Sequence, residues 1–143
     1  MNFLPAAKKT KTRRPKAPKW QKRDFNLEAR FQAAIVEYLE RVLVDALVYH
    51  IPNGGPGRSL SRLKWMGAKS GITDLVIVDE HGLSYFAEVK PPDGQLSDDQ
   101  IEFRDLCRKR RWPWAQWTTI NDAQNSIAVW GIRNRDAMIG GTT

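Results

Sequence analysis

Apolar positions 27, 31, 35, 38, 39 and 42 recur at helical spacing, so Leu27, Phe31, Ile35, Tyr38, Leu39 and Val42 form one stripe. The pattern predicts a helix over residues 26–43, with Asn26 as its N-cap. The period then changes. Residues 46–51 read as a strand that ends in Pro52-Asn53-Gly54-Gly55-Pro56-Gly57, and an open loop continues to Gly71. Two further apolar runs, over 73–78 and 83–90, flank a polar turn and read as a hairpin stopped by Pro91-Pro92-Asp93-Gly94. Ser97 opens a second helix over 97–111. Ser97 and Gln100 have capping-box spacing, Asp98 and Asp99 sit in the first turn, and Arg108 to Arg111 close it, which suits the macrodipole at both ends. Residues 112–120 read as a fourth strand, Asn121 as the cap of a last helix to Trp130, and the chain beyond Gly131 carries no pattern. The predicted order is α-β-β-β-α-β-α. It is an α/β fold: a mixed sheet flanked by helices, whose third strand, helix and fourth strand imply a parallel crossover.

At 143 residues, 41% of them hydrophobic, the chain is long enough for one domain with a real core. No apolar run approaches the roughly 20 residues of a membrane span, so no membrane partner is expected. The N-terminal charges lead into no apolar stretch, so no secretory signal is expected either. Cys107 is the only cysteine. Disulfide frameworks and cysteine-rich zinc sites are therefore excluded, and a reducing compartment fits: the cytoplasm, or a host's cytoplasm for a viral chain.

Charge changes the picture more. Residues 1–23 hold nine Lys and Arg and no acid, and the remainder, with 14 basic and 16 acidic residues, is net −2 against +7 for the whole. Pro5, Pro15 and Pro18 and the lack of apolar periodicity predict a disordered basic tail over 1–23 and a folded domain over 24–143. Such a tail is a solubilising arm, a sequence-independent phosphate-binding arm or an import signal.

The hairpin carries candidate chemistry. Side chains alternate along a strand, so Phe86, Glu88 and Lys90 share one face. Counting outward from the turn places Asp74 beside Glu88. Two adjacent carboxylates repel, so either one stays protonated or a cation lies between them. Oxygen ligands without a His or Cys pair suit Mg²⁺ or Mn²⁺, and the Val89 carbonyl is a natural third ligand. Lys90, on the same face, is placed to orient an attacking water or to stabilise charge on a phosphate. Glu28 falls about 20° from Ile35 and Leu39 on the helical wheel, inside the apolar stripe where an unpaired acid is costly. Gln32 lies on the edge of that stripe, while Glu37 and Glu40 face away. His50 and His81 form no metal-spacing motif and read as structural. Arg58, Arg62, Lys64 and Lys69, spaced among four glycines, read as a phosphate-contacting loop. Trp65 within it either stacks on an unpaired base or caps the core.

Taken in order, Glu28 and Gln32, then Gly71-Ile72-Thr73-Asp74-Leu75, Glu88-Val89-Lys90 and Ser97-x-x-Gln100 resemble the VRR-NUC family of the PD-(D/E)xK nuclease superfamily. The resemblance spans roughly residues 26–132. It departs from the family at Thr73, where proline is usual. The resemblance implies that Asp74 and Glu88 ligate the metal, Lys90 is the catalytic lysine, Glu28 is the helix acid that completes the site by binding a second metal or a water, and Gln100 is the helix residue that reaches it. It implies a DNA endonuclease leaving 5′-phosphate and 3′-hydroxyl ends. Small stand-alone members of the family resemble viral and bacterial replication and repair nucleases that select branched or four-way-junction DNA, as resolvases do, and a homodimer would give paired incision. Two competing readings are a non-catalytic DNA-binding protein that uses the tail and loop, and an enzyme of the same superfamily that cleaves RNA.

Overall fold

The computed structural model describes residues 25–52 and 60–136. Its elements are α1 (Phe25–Val42), β1 (Leu47–His50), α2 (Leu60–Trp65), β2 (Leu75–Val78), β3 (Ser84–Val89), α3 (Asp98–Arg110), β4 (Trp114–Trp117) and α4 (Ile120–Trp130). The basic tail and the loop segment that holds Arg58 lie outside the described residues.

The four strands form one sheet in the order β1-β2-β3-β4. The first two pairings are antiparallel and the last is parallel, as the crossover through α3 requires. Helices α1 and α4 cover one face. There Ile35, Leu39 and Val42 of α1 and Ala123 and Ile127 of α4 pack with Leu75, Ile77, Ala87, Val89 and Trp117. Trp117 is wholly buried and satisfies its indole N–H on Ser126 Oγ at 2.8 Å, which ties β4 to α4. Each such buried side chain contributes roughly 1.5–3 kcal/mol. Helix α3 lies over the opposite face, where Phe103 meets Phe86 edge to face.

Four expectations change. Helix α1 already includes Phe25, so Asn26 lies inside it rather than capping it, and Leu27 is 62% exposed outside the buried stripe. Helix α2 occupies part of the stretch read as open loop, giving the order α-β-α-β-β-α-β-α. Its six residues are too few for a 3.6-residue period to declare itself. Thr119, not Asn121, caps α4: its hydroxyl accepts from Asp122 N–H, and the Asp122 carboxylate accepts from Thr119 N–H in return. The segment after Gly131 also belongs to the fold. Ile132 is buried, and Leu43 and Asn134 form an antiparallel bridge.

Gly71 sets how the strand leading to Asp74 meets α3. Its φ is +76°, and an added Cβ would run into the backbone of Asp99. Gly82 shares a positive φ, +79°, but has open space around it. Gly82→Ala is expected to cost about 1 kcal/mol for the left-handed backbone alone. Gly71→Ala is expected to cost at least about twice that, because backbone atoms cannot rotate aside as a side chain does. Urea unfolding of the two variants checks this. Equal losses would show that the α3 contact does not constrain this turn.

Candidate active site

The β2–β3 register pairs Leu75 with Ala87, so Asp74, one residue before β2, stands opposite Glu88 as counting from the turn predicts. Asp74 Oδ2 accepts from the Val89 N–H at 3.1 Å, which holds its carboxylate over the end of β3. Thr73, where the family usually has proline, is buried and donates its hydroxyl to the Leu75 carbonyl at 3.2 Å. Its side chain is satisfied locally, so the departure leaves the Asp74 position formed.

Glu88 is only 1% exposed. Its Oε1 accepts a short hydrogen bond from Gln100 Nε2 and lies 3.3 Å from Lys90 Nζ. Its Oε2 is buried with no hydrogen-bond partner, one of two such side-chain atoms among the described residues, the other being Trp114 Nε1. Burial, and then the negative charge of Asp74, push the Glu88 carboxyl up to about 8, while Lys90 pulls the other way. An unsatisfied carboxylate oxygen in a dry site, beside a second carboxylate, is costly as it stands. The donor set fits a hard divalent cation, which would satisfy the oxygen and offset the repulsion together.

Gln100 fills both roles that its position allows. Its Oε1 accepts from Ser97 N–H at 2.8 Å and its backbone N–H donates to Ser97 Oγ at 3.3 Å, completing the capping box. The same amide turns its nitrogen to Glu88. Helix α3 is thus anchored to the site by its own cap.

Glu28 reaches the site from another element. It lies in the first turn of α1, which packs on the sheet face opposite Glu88 and α3. Partial burial raises its pKa, Lys90 lowers it and Asp74 raises it, so its charge is felt at the site. Yet among the described residues no three His, Cys, Asp or Glu side chains gather into a metal-holding group. The structure brings Asp74, Glu88 and Lys90 together, and Glu28 interacts electrostatically with Lys90 and Asp74.

His50 has the partners that the sequence did not reveal. Its Nδ1 lies 2.7 Å from Gln32 Nε2 and 2.9 Å from the Asp74 carbonyl, which also accepts from Ile51 N–H at 2.8 Å. Protonated at Nδ1, His50 donates to the Asp74 carbonyl; unprotonated there, it accepts from the Gln32 amide, so this one nitrogen links β1 to the Asp74 backbone or to α1 according to its tautomer. The available signal was Gln32 on the edge of the α1 stripe, but only the β1–β2 register, His50 against Leu75, brings the two side chains to Asp74. His81 is exposed in the hairpin turn near Glu80 and takes no part in the site.

A cleft of about 550 Å³ shares Gln100 with the site and is lined also by Lys64, Lys69, Gly71 and Ser97, while Asp74, Glu88 and Lys90 lie outside its lining. Arg62 is exposed on α2, and Trp65 is 86% exposed, which excludes the core-cap reading for it. A larger cavity of about 940 Å³, between Tyr38 and the end of α4, contains none of the candidate residues.

The family described as the VRR-NUC domain matches this chain over residues 10–117. The match covers α1 to β4 with every candidate acid and begins inside the basic tail. No curated protein matches the chain. Among solved structures, one described as a VRR_NUC domain shares 22% identity at a TM-score of 0.51, covering 71% of this chain and 94% of its own. Another, described as a VRR_NUC domain protein, shares 18% identity at a TM-score of 0.55, covering 71% and 84%. At these identities the likeness is one of fold, and the mixed four-stranded sheet flanked by helices agrees with it.

Proposed function

This chain belongs to the VRR-NUC family, nucleases of the PD-(D/E)xK type, and on that premise we propose that it is a divalent-metal-dependent DNA endonuclease. The observation that supports the metal dependence is the buried Glu88 carboxylate, its Oε2 without a hydrogen-bond partner and its charge opposed by that of Asp74. Asp74, Glu88 and the Val89 carbonyl would hold Mg²⁺ or Mn²⁺, and Glu28, whose charge interacts with Lys90 and Asp74, would bind a second metal or a water. The bound cation would supply Lewis-acid stabilisation of charge developing on the phosphate. Lys90 orients the attacking water or pairs with a phosphate oxygen. Its contact with Glu88 keeps the ammonium pointed into the site. Gln100 fixes the Glu88 carboxylate, and His50, in the tautomer protonated at Nδ1, would hold the Asp74 carbonyl. Lys64 and Lys69 in the cleft, with Arg62 and, in the segment outside the described residues, Arg58, would take the flanking phosphates.

The finer reading is structure selectivity in viral or bacterial replication or repair, with two copies acting on branched or four-way-junction DNA. It rests on the small size of the domain and on the fact that one site cuts one strand. Cleavage of matched duplex, flap, splayed-arm and four-way-junction DNAs, with Mn²⁺ or Mg²⁺ and with chelator, tests it. Metal-dependent cutting concentrated on the branched substrates is expected, and paired nicks on the junction should accompany a dimeric mass. Binding without cutting in every metal would leave a DNA-binding protein on a nuclease fold. Cutting of RNA alone would move the substrate class.

A further inference from the structure

Helix α3 ends in four consecutive cations, Arg108, Lys109, Arg110 and Arg111, at the end opposite Gln100. The macrodipole accounts for positive charge there, but not for what lies beside it. Arg110 stacks its guanidinium over the Trp112 ring, 5.5 Å from the centroid, and Trp112 is itself 41% exposed. Arg111 adopts a left-handed conformation, φ 57°, which turns the chain sharply from α3 toward β4. The turn borders a cavity of about 560 Å³ lined by Leu83, Ser84, Phe86, Arg111, Trp112 and Pro113. Among the described residues neither Arg110 nor Arg111 has a carboxylate partner, whereas Arg108 lies 3.9 Å from Asp105. An open aromatic pocket with Arg111 in its lining and Arg110 beside its Trp112 suits a flat base and its phosphates: every base has a face to stack, and the cations meet the backbone.

The pocket belongs to the same side of the sheet as the catalytic carboxylate, since Phe86 and Glu88 are two residues apart on β3. Two rulers agree on its distance from the site. Glu88 pairs with Gln116, four residues beyond Trp112, or roughly 13 Å of extended chain. Arg110 is ten residues along α3 from Gln100, or roughly 15 Å of helix rise. Both place the pocket roughly 13–15 Å from the site.

We infer that this pocket is a subsite for one unpaired nucleotide, its base against Trp112 and its flanking phosphates on Arg110 and Arg111. The inference rests on the nuclease reading above for its substrate, and it gives that reading a physical source of selectivity. A branched DNA offers an unstacked base near the cut, and continuous duplex does not.

The test uses the full chain, with Ca²⁺ in place of Mg²⁺, and anisotropy of a splayed-arm DNA and a blunt duplex of equal length. Trp112→Ala should weaken splayed-arm binding about tenfold and change duplex binding less than about twofold, and Trp112→Phe should recover most of the loss. Arg110→Gln with Arg111→Gly, which keeps the left-handed turn, should reduce the salt slope on single-stranded DNA by about 0.7 for each phosphate that is no longer neutralised. A bromouracil placed in the unpaired arm should cross-link to the peptide that carries Trp112. Equal losses on both DNAs would show a general electrostatic patch and overturn the base subsite. Unchanged binding throughout would leave the surface to a protein partner or to solvent, and would also overturn it. Wild-type cleavage is measured in parallel with Mn²⁺. Cross-linking at Trp112 without cleavage would fail the nuclease reading alone, and cleavage with no Trp112 effect would fail the subsite alone.

Discussion

Glu88→Gln is expected to abolish metal-dependent cleavage while making the metal-free protein more stable above neutral pH. Glu88 is buried with one oxygen unsatisfied, and burial with the Asp74 charge pushes its carboxyl up to about 8. The folded state therefore binds a proton that the unfolded state, with an ordinary carboxylate near pH 4.5, has already released. Its stability contribution is present below that ordinary value and is lost as pH rises toward about 8. Wild-type metal-free protein should thus weaken across this window, whereas the glutamine variant, which cannot ionise, should stay level. A divalent ion requires the ionised form, so its binding to the wild type should release a proton and tighten by up to about tenfold per pH unit below about 8. Calorimetry in buffers of different ionisation enthalpy reads the proton release, and urea unfolding with chelator reads the stability. Asp74→Asn keeps an oxygen for the Val89 N–H and should lose cleavage with little change in fold. Wild-type metal affinity in either variant, or metal binding that ignores pH, would remove the carboxylate pair as the metal site.

Lys90→Ala is expected to lower single-turnover cleavage about a hundredfold or more, in line with the loss of other positioned charge-stabilising groups. The Lys90 side chain is 15% exposed, held 3.3 Å from Glu88 Oε1. It also lowers the pKa of both Glu88 and Glu28. Its removal should therefore push both acids higher and move the rising limb of the rate profile to higher pH. Raising the pH should recover the part of the loss that reflects protonated carboxylates, and the remainder measures the ammonium's own action on water or phosphate. DNA affinity in Ca²⁺ should change little, since Lys64 and Lys69 line the cleft independently. A near-normal rate at every pH would show that Lys90 only solvates the strand end.

The proximity of Asp74, Glu88, Lys90 and Gln100 was legible early because most of it depends on short-range rules. Alternation along β3 puts Glu88 and Lys90 on one face, and a tight hairpin fixes what stands opposite Glu88. Ser97 and Gln100 announce their helix start at three-residue spacing. Helix α2 escaped because it is a six-residue element that exposes Trp65, so it writes no apolar period. The true cap of α4 escaped because Thr119 and Asn121 are both capping residues, and only the reciprocal bonds with Asp122 decide between them.

By itself the sequence determined the strands, the principal helices, the parallel crossover and the acid–acid–lysine set, because periodicity, turn chemistry and charge act over a few residues. The tertiary structure decided the rest. Packing α1 on the sheet half-buries Glu28 and lets its charge interact with Lys90 and Asp74. Folding Gln100 toward β3 lets one amide serve both the cap and the catalytic carboxylate. The β1–β2 register brings His50, 24 residues away in sequence, to the Asp74 carbonyl. The turn at Arg111 stacks Arg110 on Trp112 beside a pocket that no local pattern encodes. Each of these depends on which distant surfaces meet, and that is settled when the buried apolar faces find the arrangement that excludes most water.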